Sequence, residues 1–244
     1  MSPLIQMDDK GEEKMGKAAN SSISLKQIHV TDNFWNKYVH LVKDVIIPYQ
    51  WDILNDKLED VETSHCIENF KIAAGEKEGE FQGAVFQDTD VAKWLEAVGF
   101  VLNYERDEKL EELADETIEL IGRAQQPDGY LNTYFTIKEP DGRWSNLMEG
   151  HELYTAGHMI EAAVAYYEAT GKRRFLEIVS KFADLVCKTF GPEEGKIHGY
   201  PGHQEIEIAL LKLYDLSGNE KYLNLAGYFI NTPGAHPNFE ESSR

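Results

Sequence analysis

Two stretches of this chain repeat the same pair of helices, and this repeat restricts the fold more than any other feature of the sequence. Gly171 and Gly218 lie 47 residues apart, and each follows a tyrosine by four residues and ends a predicted helix that has no row of charged residues. Such a helix must be covered on all sides. The helix after each glycine has a single apolar stripe and predicts an outer position. The predicted pairs span residues 151–170 with 173–190, and 203–217 with 220–230.

An earlier part of the chain follows the same plan. Residues 88–98 predict a capped and mostly buried helix, and residues 108–125 predict an outer helix with an acidic, solvated side. Together with the repeat, these helices predict an all-α fold, in which helical hairpins form a toroid with an inner and an outer ring. Residues 1–22 show no periodicity and predict a disordered tail, so that the ordered domain spans residues 23–244.

The start of the ordered domain combines several local signals. Residues 23–30 alternate weakly and predict a strand or an extended lead-in. Thr31 or Asp32 then caps a helix. We expect Pro48 to interrupt or bend this helix, because proline has no amide hydrogen and its ring crowds the preceding turn. The spacing predicts a buried side made up of Phe34, Tyr38, Leu41, Val42 and Val45.

Polar residues lie at the start of three predicted inner helices. Because the inner helices of such a ring run in the same direction, their amino ends meet at one rim and present unpaired amide hydrogens there. The sequence therefore predicts a single polar site with Asp88, His151 and His203 as candidate residues. Capping and packing remain alternative roles for each of them, since both residue types are common in such positions.

Several other polar residues near these helix starts have ordinary structural explanations. Glu152, Glu205 and Glu207 could supply the acid and base of a glycosidase, but carboxylates are common in the first turn of a helix because they interact favourably with its dipole. His158 follows His151 by about two turns on one face. No cysteine or carboxylate matches that spacing. We therefore expect His158 to be buried and hydrogen-bonded, and we expect no metal site in this chain.

The charge and the cysteines of the chain restrict its partners and its compartment. The chain contains 24 Lys and Arg residues and 43 Asp and Glu residues, and the resulting net charge of −19 argues against a nucleic acid or an anionic membrane as partner. A neutral ligand rich in hydroxyl groups is compatible with this charge. Cys66 and Cys187 form no CxxC motif, and the chain begins without an apolar leader, which predicts a cytoplasmic protein. No apolar stretch approaches the roughly 20 residues that cross a membrane.

Six segments, in the same order along the chain, resemble successive motifs of the beta-L-arabinofuranosidases of glycoside hydrolase family 127. The resemblance implies an (α/α)6 barrel followed by β-sandwich domains. It also implies removal of terminal L-arabinofuranose from plant glycans by a retaining mechanism, with a cysteine nucleophile held by a zinc ion with three Cys ligands and one Glu ligand. The segments are VTDNFW (30–35), IPYQW (47–51), DTDVAKWLEA (88–97), QPDGYLNTY (126–134), GHELYTAGH (150–158) and GHQEIE (202–207).

The chain departs from the family in lacking both the Glu-x-Cys motif and the Cys-Cys motif of the zinc site. The resemblance therefore implies that no catalytic residue lies in this chain and that zinc belongs to the full-length enzyme. Gln50, His151 and His203 resemble residues that hold the arabinofuranose, and Asp88 is a further candidate. The chain resembles the amino-terminal half of the barrel, whose uncovered apolar faces predict poor stability alone or pairing with another chain, including a second copy.

Two other functions stay open at this point. Another helical-barrel carbohydrate enzyme, such as an epimerase or an unsaturated-uronide hydrolase, would need its catalytic groups within this chain, with Asp88 and His151 as first candidates. A non-catalytic helical interaction module would use the histidines at the rim only for packing. Replacement of a rim histidine distinguishes these functions, because sugar binding depends on the side chain only if it contacts the ligand.

Overall fold

The computed structural model describes residues 25–232, and this part of the chain is helical. It contains no β-strand, only an isolated bridge between Phe190 and Ile197. Within these residues no helix has the length and the apolar character needed to cross a membrane. The helices are α1 (Asn33–Leu41), α2 (Ile47–Leu54), α3 (Cys66–Ala73), α4 (Asp88–Tyr104), α5 (Glu108–Ala124), α6 (Thr133–Ile137), α7 (Glu152–Thr170), α8 (Arg174–Thr189), α9 (Ile206–Ser217) and α10 (Glu220–Asn231).

The long helices form two layers, as the sequence predicts. Helix α7 lies between α4 and α9 in the inner layer and is buried around most of its circumference, while α8 and α10 pack on the outside with their apolar stripes facing inwards. Gly99 lets α4 approach the backbone of α7 closely at Ala165. Trp94 of α4 packs against Trp51 and donates a hydrogen bond to the carbonyl oxygen of Ile47, 3.1 Å away, which ties α2 to the inner layer.

The repeated glycine has the same conformation in both copies. Gly171 and Gly218 have φ angles of +76° and +68°, a left-handed conformation that side chains rarely adopt. Each donates its N–H to the carbonyl oxygen of the tyrosine four residues earlier, Tyr167 or Tyr214, at 2.7 Å. These bonds end the two inner helices in the same way. The prediction of two equivalent helical hairpins is confirmed.

The close approach of α4 and α7 predicts that a side chain at Gly99 destabilises the fold. A Cβ atom at Gly99 would lie 2.9 Å from the backbone carbon of Ala165 and 2.9 Å from the nitrogen of Tyr166. We expect Gly99→Ala to lower the free energy of unfolding by about 1–3 kcal/mol, because two backbones must separate. Urea unfolding followed by circular dichroism measures the change.

A matched control for this prediction lies in α10. A Cβ atom at Gly227 would meet nothing within 4 Å, and this glycine is also helical. We expect Gly227→Ala to raise the free energy of unfolding by about 0.5–1 kcal/mol, since alanine has the higher helix propensity. Equal effects of the two substitutions would contradict the close packing of α4 against α7.

The prediction for the first helix is right about its cap and wrong about its buried side. Asp32 accepts hydrogen bonds from the N–H groups of Phe34 and Trp35 at 3.0 and 2.8 Å. However, no element among the described residues covers the apolar side of α1 and of the turn after it, which is exposed. Periodicity identifies an apolar face but not the element that packs on it. The exposed side chains are Phe34, Trp35, Tyr38, Leu41, Val42, Val45 and Ile46.

One of two further local predictions near the start of the domain is corrected. The segment predicted as a strand or extended lead-in contains a 3-10 turn at Leu25–Gln27. The predicted interruption of the α-helix at Pro48 is confirmed, because α1 ends at Leu41 and a π-helical turn at Val42–Ile46 places Pro48 in the first turn of α2, where no amide hydrogen is required. The predicted tail, residues 1–22, lies outside the described residues, so that this domain boundary stays a prediction.

Candidate functional site

Two histidines from separate inner helices stack on each other at the amino-terminal rim. The rings of His151, directly before α7, and His203, in the turn before α9, have centroids 4.3 Å apart and an angle of 28° between their planes. The helix predicted from residue 203 begins at Ile206 instead, so that His203 lies in a turn and is exposed. The prediction that both histidines meet at one rim is confirmed.

The conformation of His151 determines which ring nitrogen can accept a hydrogen bond. Its φ angle is +54°, and its Nδ1 lies 2.6 Å from the carbonyl oxygen of Glu149. Because a carbonyl oxygen only accepts, Nδ1 carries the hydrogen and Nε2 of the neutral ring is an acceptor. Phe86 and Tyr154 lie against the ring, with centroid distances of 5.0 and 5.7 Å. The site thus presents an oriented imidazole acceptor between aromatic rings.

Gln50 lies on α2 beside a cavity of about 400 Å³. Its amide is exposed, and Asp90, Lys93 and Trp94 of α4 line the same cavity. The Nζ atom of Lys93 donates a hydrogen bond to the hydroxyl of Tyr154 at 3.2 Å. Since Tyr154 packs against both stacked histidines, this contact joins the cavity beside Gln50 to the histidine pair. The structure therefore brings three of the four predicted binding residues to one side of the molecule.

The fourth candidate, Asp88, has a different environment. It is buried, and its two carboxylate oxygens accept hydrogen bonds from the backbone N–H and the hydroxyl of Thr133, at 2.7 and 2.5 Å. Burial raises the pKa of Asp88 to about 6, against the opposing effect of these hydrogen bonds. The carboxylate holds the start of α4 to α6. A contact of Asp88 with substrate stays a prediction.

Glu152 holds the loop that leads to His151. Its carboxylate is buried and accepts hydrogen bonds from the Tyr130 hydroxyl at 2.5 Å and from the N–H of Trp144 at 2.7 Å. Burial raises the pKa of Glu152 to about 7. The sequence signal for Tyr130 was only a Pro-Asp-Gly turn, which does not reveal this contact. Glu152 thus has a positioning role at the rim.

A family model matches most of the chain. Residues 27–244 match the model of the beta-L-arabinofuranosidase GH127 catalytic domain. The chain belongs to this family. The described residues 25–232 of this GH127 chain form helices without a β-strand and correspond to the amino-terminal part of the helical barrel, so the fold class implied by the resemblance is confirmed.

Relatives of this GH127 chain include both a curated protein and solved structures. It is 44% identical over 228 residues to the non-reducing end beta-L-arabinofuranosidase of Bifidobacterium longum subsp. longum, covering 87% of this chain and 35% of that protein. A GH127 beta-L-arabinofuranosidase from Geobacillus stearothermophilus T6 superposes with a TM-score of 0.86 and 61% identity, covering 88% of this chain and 34% of that one. Another GH127 beta-arabinofuranosidase superposes with a TM-score of 0.81 and 37% identity, covering 88% of this chain and 34% of that one. The chain thus spans about a third of the length of these relatives.

The two cysteines of this GH127 chain do not fit the zinc site that the resemblance implies. Cys66 is buried at the start of α3, where its thiol donates to the carbonyl oxygen of Gln87 at 3.2 Å, and burial raises its pKa well above the usual range. Cys187 lies in α8, and burial raises its pKa to about 11. Thiolates are the zinc-binding form of cysteine, and these environments disfavour it. No catalytic step through zinc follows from these residues.

Proposed function

We propose that this chain supplies one wall of the sugar pocket in a retaining beta-L-arabinofuranosidase that hydrolyses terminal L-arabinofuranosides of plant-type glycans. In this proposal Gln50, His151 and His203 bind the terminal sugar. The observation that carries the proposal is the stacked pair of histidines, joined through Tyr154 and Lys93 to the cavity beside Gln50. Family membership favours this function over a helical-barrel epimerase or a non-catalytic module.

The chemistry of the three side chains suits a furanose. An amide both donates and accepts hydrogen bonds, and Nε2 of His151 is free to accept one because Nδ1 donates to the carbonyl oxygen of Glu149, so that together they can bind several hydroxyl groups. The aromatic rings around His151 provide the apolar surface that binding sites generally combine with a few polar groups. The net charge of −19 disfavours anionic ligands and not neutral sugars.

The reactive side of the pocket lies outside this chain in the proposal. The buried carboxylates at the rim, Asp88 and Glu152, already accept hydrogen bonds from protein donors, which supports structural roles for them. We therefore expect the 244-residue chain to bind an arabinofuranoside without hydrolysing it.

The proposal also includes the compartment and the assembly. Cys66 and Cys187 are free thiols, which supports a cytoplasmic location. The exposed apolar side of α1 supports association with another chain or with a second copy. Analytical ultracentrifugation over a range of protein concentrations tests the self-association.

Titration with methyl beta-L-arabinofuranoside, followed by intrinsic fluorescence or nuclear magnetic resonance, tests the proposed binding. We expect His203→Ala and His151→Asn to weaken binding about tenfold or more, because each removes a ring and a hydrogen bond worth about 1.5 kcal/mol. Asparagine is chosen at His151 because it tolerates a positive φ angle.

His29→Ala is the matched control, since His29 is exposed and lies in another part of the chain. We expect this variant to bind like the unchanged protein. Unchanged affinity in both rim variants, or no binding by the unchanged chain, would contradict the proposed site. Release of the aglycone from an aryl beta-L-arabinofuranoside by the chain alone would contradict the proposed location of the reactive groups.

A further inference from the structure

A second polar cluster lies inside the inner layer, further along the helices than the histidine pair. It joins Glu96 of α4, His158 and Glu161 of α7, and Glu205 at the start of α9. One ligand atom from each of Glu96, His158 and Glu161 lies within 4.8 Å of the others. The Glu205 Oε1 atom lies 3.2 Å from Nδ1 of His158. Two helices that are distant in sequence therefore direct three potential metal ligands towards one point, and a fourth, Glu205, lies beside His158.

The imidazole of this cluster lacks the hydrogen bonds that a buried ring normally makes. Both ring nitrogens of His158 and the Oε1 atom of Glu205 are shielded from solvent, and although Nδ1 and Oε1 lie 3.2 Å apart, none of the three atoms forms a hydrogen bond within the described residues. This corrects the prediction that His158 is hydrogen-bonded. Burial, with a smaller effect of Lys93, lowers the pKa of His158 to about 4. The ring is therefore neutral at pH 7, and the neutral imidazole is the form that binds metals.

The charges around the cluster do not balance. Lys212 of α9 forms an ion pair with Glu161, and Lys93 faces both this cluster and Asp90. When all of these groups are ionised, the two lysines carry two positive charges. The four carboxylates of Asp90, Glu96, Glu161 and Glu205 carry four negative charges. Two negative charges remain, which equals the charge of one divalent cation. Buried charges require such compensation.

We propose that Glu96, His158, Glu161 and Glu205 bind a divalent transition-metal ion. One imidazole nitrogen and three carboxylate oxygens match the four ligands of tetrahedral zinc, and the same donors suit Mn²⁺. The set contains no cysteine and differs from the zinc ligands that the family resemblance implies. It differs from the sequence-based expectation of no metal, which considered His158 only with His151.

Only small movements are needed to close this site. Zinc–ligand bonds of about 2.0–2.2 Å place tetrahedral donors about 3.3–3.6 Å apart, so that the most distant pair among Glu96, His158 and Glu161 must approach by roughly 1 Å. The Glu205 carboxylate, which already lies beside His158, must turn towards these three groups. Rotation about the flexible glutamate side chains provides this distance. The bound ion crosslinks α4, α7 and the start of α9, close to the turn that carries His203.

Isothermal titration of the metal-free 244-residue chain with Zn²⁺, and separately with Mn²⁺, tests the proposal. We expect one ion per chain and, for zinc at a hundredfold excess over Kd, a rise in Tm of about 5–10 °C. Glu96→Gln, His158→Asn and Glu161→Gln are each expected to weaken binding at least about tenfold. Binding of several ions per chain, or no saturable binding, overturns the proposal.

Two histidine variants serve as controls. His40 lies 3.9 Å from Asp44 on an exposed helix surface, and His203 stacks on His151, so that either pair could hold zinc adventitiously. We expect His40→Asn and His203→Asn to retain zinc binding. Loss of binding in one of these variants, with retention in His158→Asn, overturns the proposal.

X-ray absorption of the zinc-loaded, unchanged chain gives an answer even if the variants fail to fold. The proposed site predicts one imidazole nitrogen with oxygen ligands and no sulfur. Two imidazoles would indicate the rim pair of His151 and His203, and sulfur would indicate Cys66 or Cys187. Either of these results overturns the assignment.

Discussion

Replacement of Phe182 by alanine is expected to lower the free energy of unfolding by about 3–5 kcal/mol. Phe182 of α8 is completely buried, and its ring packs against Tyr130 and Trp144 with centroid distances of 5.6 and 6.4 Å. The substitution removes the transfer free energy of the ring and leaves a cavity that rigid helices fill only in part. Urea unfolding followed by circular dichroism measures the loss.

The same substitution at Phe100 is the matched control. Phe100 lies on α4 but is 45% exposed, so we expect Phe100→Ala to change the free energy of unfolding by less than about 1 kcal/mol. A similar loss in both variants would contradict the assignment of α8 to the outer layer over a packed core.

The Phe182 substitution should also affect the sugar site at a distance. Phe182 supports Tyr130 and Trp144, and these two residues donate the hydrogen bonds that hold Glu152 beside His151. We therefore expect Phe182→Ala to weaken arabinofuranoside binding under conditions in which the variant is still folded. Unchanged affinity would show that the outer layer does not position His151.

Replacement of Glu152 by glutamine is expected to remove about 3 kcal/mol of pH dependence from the free energy of unfolding. Burial raises the pKa of Glu152 from 4.5 to about 7. The folded chain therefore binds this proton more tightly than the unfolded chain. The stabilising contribution is complete below pH 4.5 and is lost as the pH rises through about 7.

Urea unfolding of both proteins between pH 4 and pH 8 tests this prediction. Glutamine keeps an oxygen that accepts from the N–H of Trp144, and its amide can donate to Tyr130, so that the contacts survive without a titrating group. We expect the Glu152→Gln variant to gain stability relative to the unchanged chain as the pH rises. A difference that stays constant across this range would contradict a buried, titrating Glu152.

The first helix shows how far local patterns reach. The Asp32 cap was predictable because a cap depends on residues two and three positions away. The exposure of Phe34 and Val45 was not predictable, because it depends on whether another element covers them. Their periodicity is the same in either case, so that the sequence predicted an apolar face and the structure showed it exposed.

The candidate site also has features that the sequence predicts and features that it does not. The meeting of His151 and His203 followed from the common direction of the inner helices, which the repeat revealed. The side chains that hold the rim in place, Thr133 on Asp88 and Tyr130 on Glu152, could not be predicted from spacing. Each contact joins residues from different elements, and no local signal indicates such a pairing.

The sequence by itself determined the helices, their glycine caps and the hairpin repeat, since these depend on neighbours within a few residues and on the apolar period. It also determined that His151 and His203 lie at one rim. Only the tertiary structure decided which side chains meet across helices, including His158 with Glu96 and Glu161. The physical reason is that burial and charge pairing depend on the distance between elements, which the packing of the inner helices sets.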